Sequence, residues 1–587
     1  MNHGLLLPIA IPLVAAGAIV ALPLRARRVQ RMINVVATLA LLPVAVWLAV
    51  RASSGEIVTY ALGAWPAPVG IVLQLDRLSA LMLLLLAVLA CCCLLGTSSA
   101  DARRGRYFRA LFQFELMGVN GAFLAGDLFN LFVYFELLLI ASYALLLHGG
   151  GRDRVRSGLH YLLLNLVGSS FFLIAVGVLY GLTGTLNMAD MGERLAHLDP
   201  ASLPIAQFAG AMLMLVFGLK AAVFPLSFWL PQAYRSAIGP VAALFAIMTK
   251  VGVYAMLRCD ALVFGAAGGL LEGFMHDWAW WLAIATLVFG ALGALAVSSL
   301  KTTTGYLVLT SVGLLIATAT LQSAAAWAAL LYYLISTTLC SAALFLLADT
   351  LEPEAPERTA DLEPASHAAL DDTTAPAISP DADGEPAVGV AEAVAERTVI
   401  EVIRPVVKPV VRPVVKPVIR PKRATAPWPW KSAALLYLAG AVGAAGLPPL
   451  SGFLGKAMVL AATPIAQAVV LWPAVLLSSL LLIVALSRTG TRLLWAIPAS
   501  QAASQAASQA ASQTASQPAS QTAIAAPPAA PHGARAKLAA CALLLACAVA
   551  ATLGAGPLKR YLDATAVQLL DRDAYVRAIL PAPGNGS

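Results

Sequence analysis

Apolar runs of roughly 18 to 25 residues follow one another along this chain, separated by short polar stretches that carry many of the arginines. A run of that length crosses about 30 Å of hydrocarbon as a helix, whereas the strands of a membrane barrel would alternate in polarity and be half as long. The pattern predicts an all-α polytopic membrane protein of about 14 transmembrane helices. They fall near 5–24, 32–50, 76–96, 107–126, 128–148, 158–183, 204–234, 240–258, 279–299, 303–321, 325–349, 431–461, 466–487 and 537–556.

The runs divide the chain. Helices 1 to 11 occupy 1–350, with a first bundle at about 107–258; helices 12 and 13 occupy 431–487 and complete a second bundle at about 279–487; helix 14 is followed by an external tail, 557–587. Between them, 351–430 is first acidic and then rich in Pro, Lys and Arg, and its IRPVVKPVVRPVVKPVIRPKR repeat is too proline-dense for a helix. The stretch 499–532 repeats QAAS with little variation and reads as a linker. Both are expected on the cytoplasmic side as tethers, with contact to anionic lipid or an acidic partner face as the sharper reading of the basic repeat.

Composition agrees: 60% hydrophobic and 12% charged over 587 residues excludes a soluble chain. The formal charge of +8 does not mark a nucleic-acid protein, because RARRVQR (Arg25 to Arg31), DARRGR (Asp101 to Arg106) and GRDRVR (Gly151 to Arg156) sit in loops after the first, third and fifth spans. They read as topology signals that place those loops inside and both termini outside. The first span has neither a basic leader nor a small-residue cleavage site and reads as a retained helix. The seven cysteines form no CxxC or Cys/His set, so no metal site or cofactor is expected. No phosphate-binding loop, HExxH or dinucleotide fingerprint occurs, and neither an enzyme activity nor catalytic residues are expected.

A charge at mid-bilayer costs roughly 2.5 to 3.5 kcal/mol on insertion scales, so each one needs a reason. Four stand out as proton-transfer groups: Glu136, Lys220, Lys250 and Lys456. Pro225 and Pro231 interrupt the Lys220 span, and Pro448 and Pro449 interrupt the Lys456 span, as prolines do where a helix opens at an ion site. The two broken spans lie five helices apart, an odd offset that inverts their direction and suggests an inverted repeat matching the Lys220 span to the Lys456 span. Burial drives a lysine and a glutamate towards neutrality while their attraction restores charge, so a Glu136–Lys220 pair can toggle and pass a proton towards Lys250. Lys301 reads as a topology lysine, His148 as a surface residue, and His160 as a candidate relay.

The segments GDLFNLFVYFELLLIASYALLLHG, GLKAAVFPLSFWLPQAY, ALFAIMTKVGVYAML and AAGLPPLSGFLGK resemble the antiporter-like membrane subunits, above all the D-type subunit of the Mrp-type sodium or potassium/proton antiporters. The resemblance implies two inverted five-helix bundles, an acid on the fifth helix (Glu136), lysines on the seventh and eighth (Lys220, Lys250) and an ionisable group on the twelfth (Lys456). It implies a proton-translocating subunit of a multisubunit Na+ or K+/proton antiporter in a bacterial inner membrane, with other membrane subunits and lipid as partners. Where the family pattern leads one to expect a histidine on the eleventh span, this chain has Ser336, which with Thr337 can order water but not titrate near neutrality. Two other readings stand beside this one: a proton-pumping subunit of a respiratory NADH:quinone oxidoreductase or membrane hydrogenase, and a non-conducting structural subunit.

Overall fold

In a membrane protein the helices with the fewest polar side chains can face lipid, and those that carry hydroxyls and charges are enclosed by other helices. The computed structural model describes residues 3–23, 25–65, 67–265, 269–352, 428–514 and 533–580. Most of the expected 351–430 insertion and the later QAAS repeats lie outside them.

The helices are α1 (Leu7–Ala21), α2 (Arg27–Ala52), α3 (Arg77–Gly96), α4 (Phe108–Leu124), α5 (Leu128–Leu146), α6 (Arg152–Thr183), α7 (Met188–Ala196), α8 (Leu203–Ala221), α9 (Trp229–Ser236) and α10 (Gly239–Phe245). They continue with α11 (Met248–Leu262), α12 (His276–Ala296), α13 (Leu300–Ala319), α14 (Ala324–Leu351), α15 (Trp428–Ala445), α16 (Ser451–Ala462), α17 (Ile465–Thr514), α18 (Ala534–Leu553), α19 (Ala555–Leu570) and α20 (Arg572–Ile579). Among the described residues, twelve helices are long and apolar enough to cross a membrane. Of the other two expected spans, one is met by the 17-residue α4 and the other by the pair α15 and α16. The chain is a polytopic membrane protein.

Burial sorts the helices as their composition requires. α14 is buried almost throughout, with Trp327, Tyr332 and Phe345 inside, and α13 and α11 are nearly as enclosed. α1, α2, α6 and α12 keep exposed apolar faces such as Val36, Leu163 and Trp281, suited to hydrocarbon. Asp76, Asp127 and Ser323 cap α3, α5 and α14 by accepting bonds from the Ser79, Asn130 and Ala326 amides, which lipid would leave unpaired.

Small residues set the closest helix contacts. A Cβ on Gly290 would meet the Thr310 backbone nitrogen of α13 at 2.5 Å, and one on Gly252 of α11 would meet the Ala221 nitrogen of α8 at 2.7 Å. Gly252→Leu is therefore expected to push α11 from α8 and cost about 1–3 kcal/mol. Thermal unfolding of the purified protein in detergent checks this, and an unchanged midpoint would contradict the close approach.

Four regions differ from the sequence expectation. The stretch expected as a tail, 557–587, carries two helices that fold back, α19 and α20, and Gln568 accepts from the Arg77 amide at 3.1 Å and donates to the Gly55 carbonyl at 2.9 Å. These helices are amphipathic and too polar to register as spans. A hairpin, β1 (Val58–Ala61) and β2 (Val72–Leu75), pairs Val58 with Leu75 between α2 and α3. The first QAAS repeats continue α17 as far as Thr514, as the good helix propensity of alanine and glutamine allows. Finally, Pro231 does not break a helix; it lies in the first turn of α9, where its missing N–H is not needed, and the interruption falls at 222–228.

Candidate proton pathway

Two interrupted spans organise the interior. α8 ends at Ala222, a non-glycine residue at φ 62°, and Pro225-Leu226-Ser227 leads into α9; α15 ends at Gly446, at φ 78°, and Pro449-Leu450-Ser451 leads into α16. Laying the two Pro-Leu-Ser segments over each other sets Ala222 against Gly446. The same register sets Lys220 against Ala444 and Gln232 against Lys456. The spans match, but the two lysines do not occupy equivalent positions, a correction to the sequence expectation.

What they share is a field. A half-helix ends in carbonyls without intrahelical partners, carrying partial negative charge that attracts a cation. Lys220 stands in the last turn of its own half-helix, α8. Lys456, on the second half of its span, reaches back to donate to the Ala445 carbonyl at the end of α15 at 2.7 Å and to Ser479 Oγ at 2.8 Å. Trp229 Nε1 satisfies the Leu219 carbonyl at 3.3 Å, and the Phe224 amide donates to Thr286 Oγ1 at 2.9 Å.

Glu136 and Lys220 come together as expected. Lys220 Nζ is 4.0 Å from Glu136 Oε1 and 5.6 Å from the centre of the Phe135 ring, and it makes no hydrogen bond among the described residues. Glu136 is partly exposed, its side chain 24% accessible, and accepts a hydrogen bond from Ser169 Oγ. Lys250 is fully buried in the first turn of α11, where its Nζ donates to Thr249 Oγ1 and to Ser311 Oγ of α13, each at 3.2 Å. Ser336 hydrogen-bonds Ser451 at 2.8 Å, joining α14 to the start of the helix that carries Lys456. Thr337 turns back onto the Leu334 carbonyl at 3.2 Å.

Other expectations fare differently. His160 is exposed on α6, with its ring 5.9 Å from Phe228, and is not part of the buried file. His148 is buried, its Nε2 2.8 Å from the Asp101 carbonyl. Lys301 is no simple topology lysine: it pairs with Asp349 at 3.0 Å, Lys537 pairs with Asp349 as well, and Lys537 lies 3.1 Å from Asp101. Sequence reading missed this network because each member lies near the end of an apolar run, where a charge needs no explanation.

A second buried cluster was also missed. Arg258 of α11 makes a bidentate pair with Asp76, at 2.5 and 3.0 Å, and donates to Ser79 Oγ at 3.0 Å and Tyr254 Oη at 2.9 Å. Tyr575 of α20 donates to the same carboxylate at 2.5 Å. Asp76 caps α3 just before the span that begins at Arg77: burial by itself raises its pKa, but Arg258 and the Tyr575 hydroxyl hold it down to about 2. Among the described residues, no group of three His, Cys, Asp or Glu is placed to hold a metal.

An interior of interrupted helices with buried lysines at their ends defines a class: membrane-embedded ion-translocating subunits. The family described as NADH:quinone oxidoreductase/Mrp antiporter, transmembrane, matches residues 125–364. The D-type subunit of a probable K(+)/H(+) antiporter of Rhizobium meliloti is 44% identical over 357 residues, covering 60% of this chain and 66% of that one. The D-type subunit of the Na(+)/H(+) antiporter of Bacillus subtilis is 38% identical over 354 residues, covering 60% of this chain and 70% of that one. In fold the chain is similar to one in the Mrp complex of a Dietzia species, with a TM-score of 0.74 at 23% identity over 99% of this chain and all of that one. The chain belongs to the antiporter-like family of NADH:quinone oxidoreductase and Mrp membrane subunits, in its D-type branch.

Proposed function

We propose that this chain is the proton-translocating membrane subunit of a multisubunit Na+ or K+/proton antiporter of a bacterial inner membrane. Protons move from Glu136 and Lys220 through Lys250 to Lys456 across two inverted five-helix bundles, within fourteen spans. The arginine-rich loops favour cytoplasmic placement for the start of α6 and external termini. Other membrane subunits complete the assembly and are its partners, and cation exchange belongs to the whole.

The observation that carries the reading is Lys220: a buried amine at 4.0 Å from a carboxylate, with no hydrogen bond among the described residues to fix it. When Glu136 is ionised, its charge holds a proton on Lys220; when Glu136 is neutralised, that restraint goes and Lys220 releases its proton towards Lys250. Ser311 links Lys250 to α13, and Ser336 with Ser451 links α14 to the Lys456 helix, so hydroxyls bonded to water can span the intervals. Identity of 38–44% to D-type antiporter subunits favours this reading over a respiratory pump.

The test is cation-dependent proton flux in everted vesicles carrying the full assembly with Lys220→Ala, Lys250→Ala or Lys456→Ala. Each is expected to lower exchange by roughly a hundredfold, the scale of losing a positioned proton-transfer group. Full exchange in all three would leave the pathway without support and favour a structural subunit.

A further inference from the structure

Glu115 lies in the middle of α4, fully buried, and neither of its carboxyl oxygens has a hydrogen-bond partner among the described residues. A carboxylate cannot persist in a dry, apolar site without a counter-charge or hydrogen bonds, so this group is held by a proton or by water. Its surroundings are not random. Gly118 of α4 packs on Leu138 of α5 and Gly121 on Tyr134, so one turn back along the antiparallel pair Glu115 lies level with Ala141 and Ser142, and Ser142 hydrogen-bonds Tyr161 of α6.

α6 carries a matching feature. Ser157, Tyr161, Asn165 and Ser169 recur every fourth residue, which places them on one helix face. All four are buried, whereas Leu159, Leu163 and Leu166 are exposed. The face thus points into the protein. Ser157 hydrogen-bonds Ser236 at 2.7 Å, Tyr161 hydrogen-bonds Ser142 of α5 at 2.8 Å, and Asn165 Nδ2 donates to the Tyr161 carbonyl at 2.9 Å. Ser169 donates to Glu136. A polar file therefore runs from the arginine-bearing start of α6 to the carboxylate that pairs with Lys220. Serine in an apolar helix often does no more than bond its own i−4 carbonyl, as Ser157 and Ser169 also do here. Asn165 does the same through its Nδ2, but that habit explains neither a tyrosine on this face nor an unpaired carboxyl level with it.

We propose that this face of α6 lines a proton inlet to Glu136 and that Glu115 holds the proton part-way along it. The proposal rests on the reading that Glu136 and Lys220 carry protons. Successive side chains are about 6 Å apart at Cβ, a gap one water spans. Protonated Glu115 releases its proton into the file; each hydroxyl or water accepts one proton and passes on another; the last reaches the Glu136 carboxylate and neutralises it. Glu115, left as a carboxylate, is reloaded from the start of α6. Asn165 does not relay a proton itself but orients the water between Tyr161 and Ser169.

The experiment uses the full assembly in everted vesicles with Glu115→Gln, Glu115→Asp, Asn165→Leu and Lys220→Ala, together with infrared spectra of the purified protein at neutral pH. Glu115→Gln and Asn165→Leu are expected to slow exchange at least tenfold at unchanged cation half-saturation, with Glu115→Asp restoring part of the rate. Glu115→Gln is also expected to remove a protonated-carboxyl absorption band present in the unaltered protein. Full exchange in Glu115→Gln and Asn165→Leu alongside an inactive Lys220→Ala would overturn the inlet and leave the pathway standing. Full exchange in Lys220→Ala would remove the pathway itself. The spectrum decides the role of Glu115 even where a variant fails to assemble, because an unaltered protein without such a band has no proton stored there.

Discussion

Lys220→Arg is expected to fold, assemble and keep its pairing with Glu136, yet exchange cations for protons at least a hundredfold more slowly than the unaltered protein. The side chain at this position sits 4.0 Å from Glu136 and against the Phe135 ring, an environment that accepts a guanidinium as readily as an ammonium. Charge, attraction and approximate bulk are therefore preserved. What is lost is the ability to become neutral, since arginine keeps its proton under any condition a protein meets. The pair would form and never release. Fluorescent-dye measurement of proton flux in everted vesicles checks this, with assembly confirmed by purification of the complex. Exchange at the ordinary rate would mean that position 220 supplies a fixed positive charge and that the mobile proton travels elsewhere.

The membrane class and the approximate spans were legible in the sequence because length and apolarity alone decide whether a helix crosses lipid. Glu136, Lys220, Lys250 and Lys456 were legible because a charge inside such a run is costly enough to demand a reason. The same logic failed where a charge lay near the end of a run. Asp76, Arg258, Asp349 and Lys537 looked as if they could reach water, and the structure instead pairs Arg258 with Asp76 in the interior and Lys537 with the largely enclosed Asp349. Glu115 was missed although 107–126 reads as a span, because that run, FRALFQFELMGVNGAFL, also holds arginine, glutamine and asparagine, among which one more polar residue did not stand out. The apparent equivalence of Lys220 and Lys456 went astray for another reason. Sequence showed two proline-broken spans each bearing a lysine, and matching them by that feature alone overlooked that Lys220 precedes Pro225 whereas Lys456 follows Pro449. The Pro-Leu-Ser repeat at 225 and 449 carried that information and could have given the register.

Arg258→Met is expected to cost about 3–5 kcal/mol of stability, the penalty of leaving one partner of a buried ion pair alone. Asp76 is wholly enclosed, and with Arg258 gone it retains only the Ser79 amide and the Tyr575 hydroxyl. The loss spreads beyond the pair, because Arg258 also bonds Tyr254, whose hydroxyl donates to the Phe123 carbonyl at 2.7 Å, and Asp76 anchors α20 through Tyr575. The helix that carries Lys250 is thereby fastened at its far end to α3, α4 and the C-terminal helices. The folded-state pKa of Asp76, about 2, lies below the ordinary 3.8, so its contribution to stability is fully present above pH 4 and lost only as pH falls through about 2. In Arg258→Met, burial acts on Asp76 without the guanidinium and raises its pKa, so the deficit against the unaltered protein should be smallest near pH 4 and widen as pH rises, as read by denaturant unfolding from detergent. Asp76→Leu combined with Arg258→Met should recover part of the loss, because it removes the stranded charge as well as the pair. A double variant no more stable than Arg258→Met would instead place the cost in the undocking of α20, which Tyr575→Phe would then reproduce on its own.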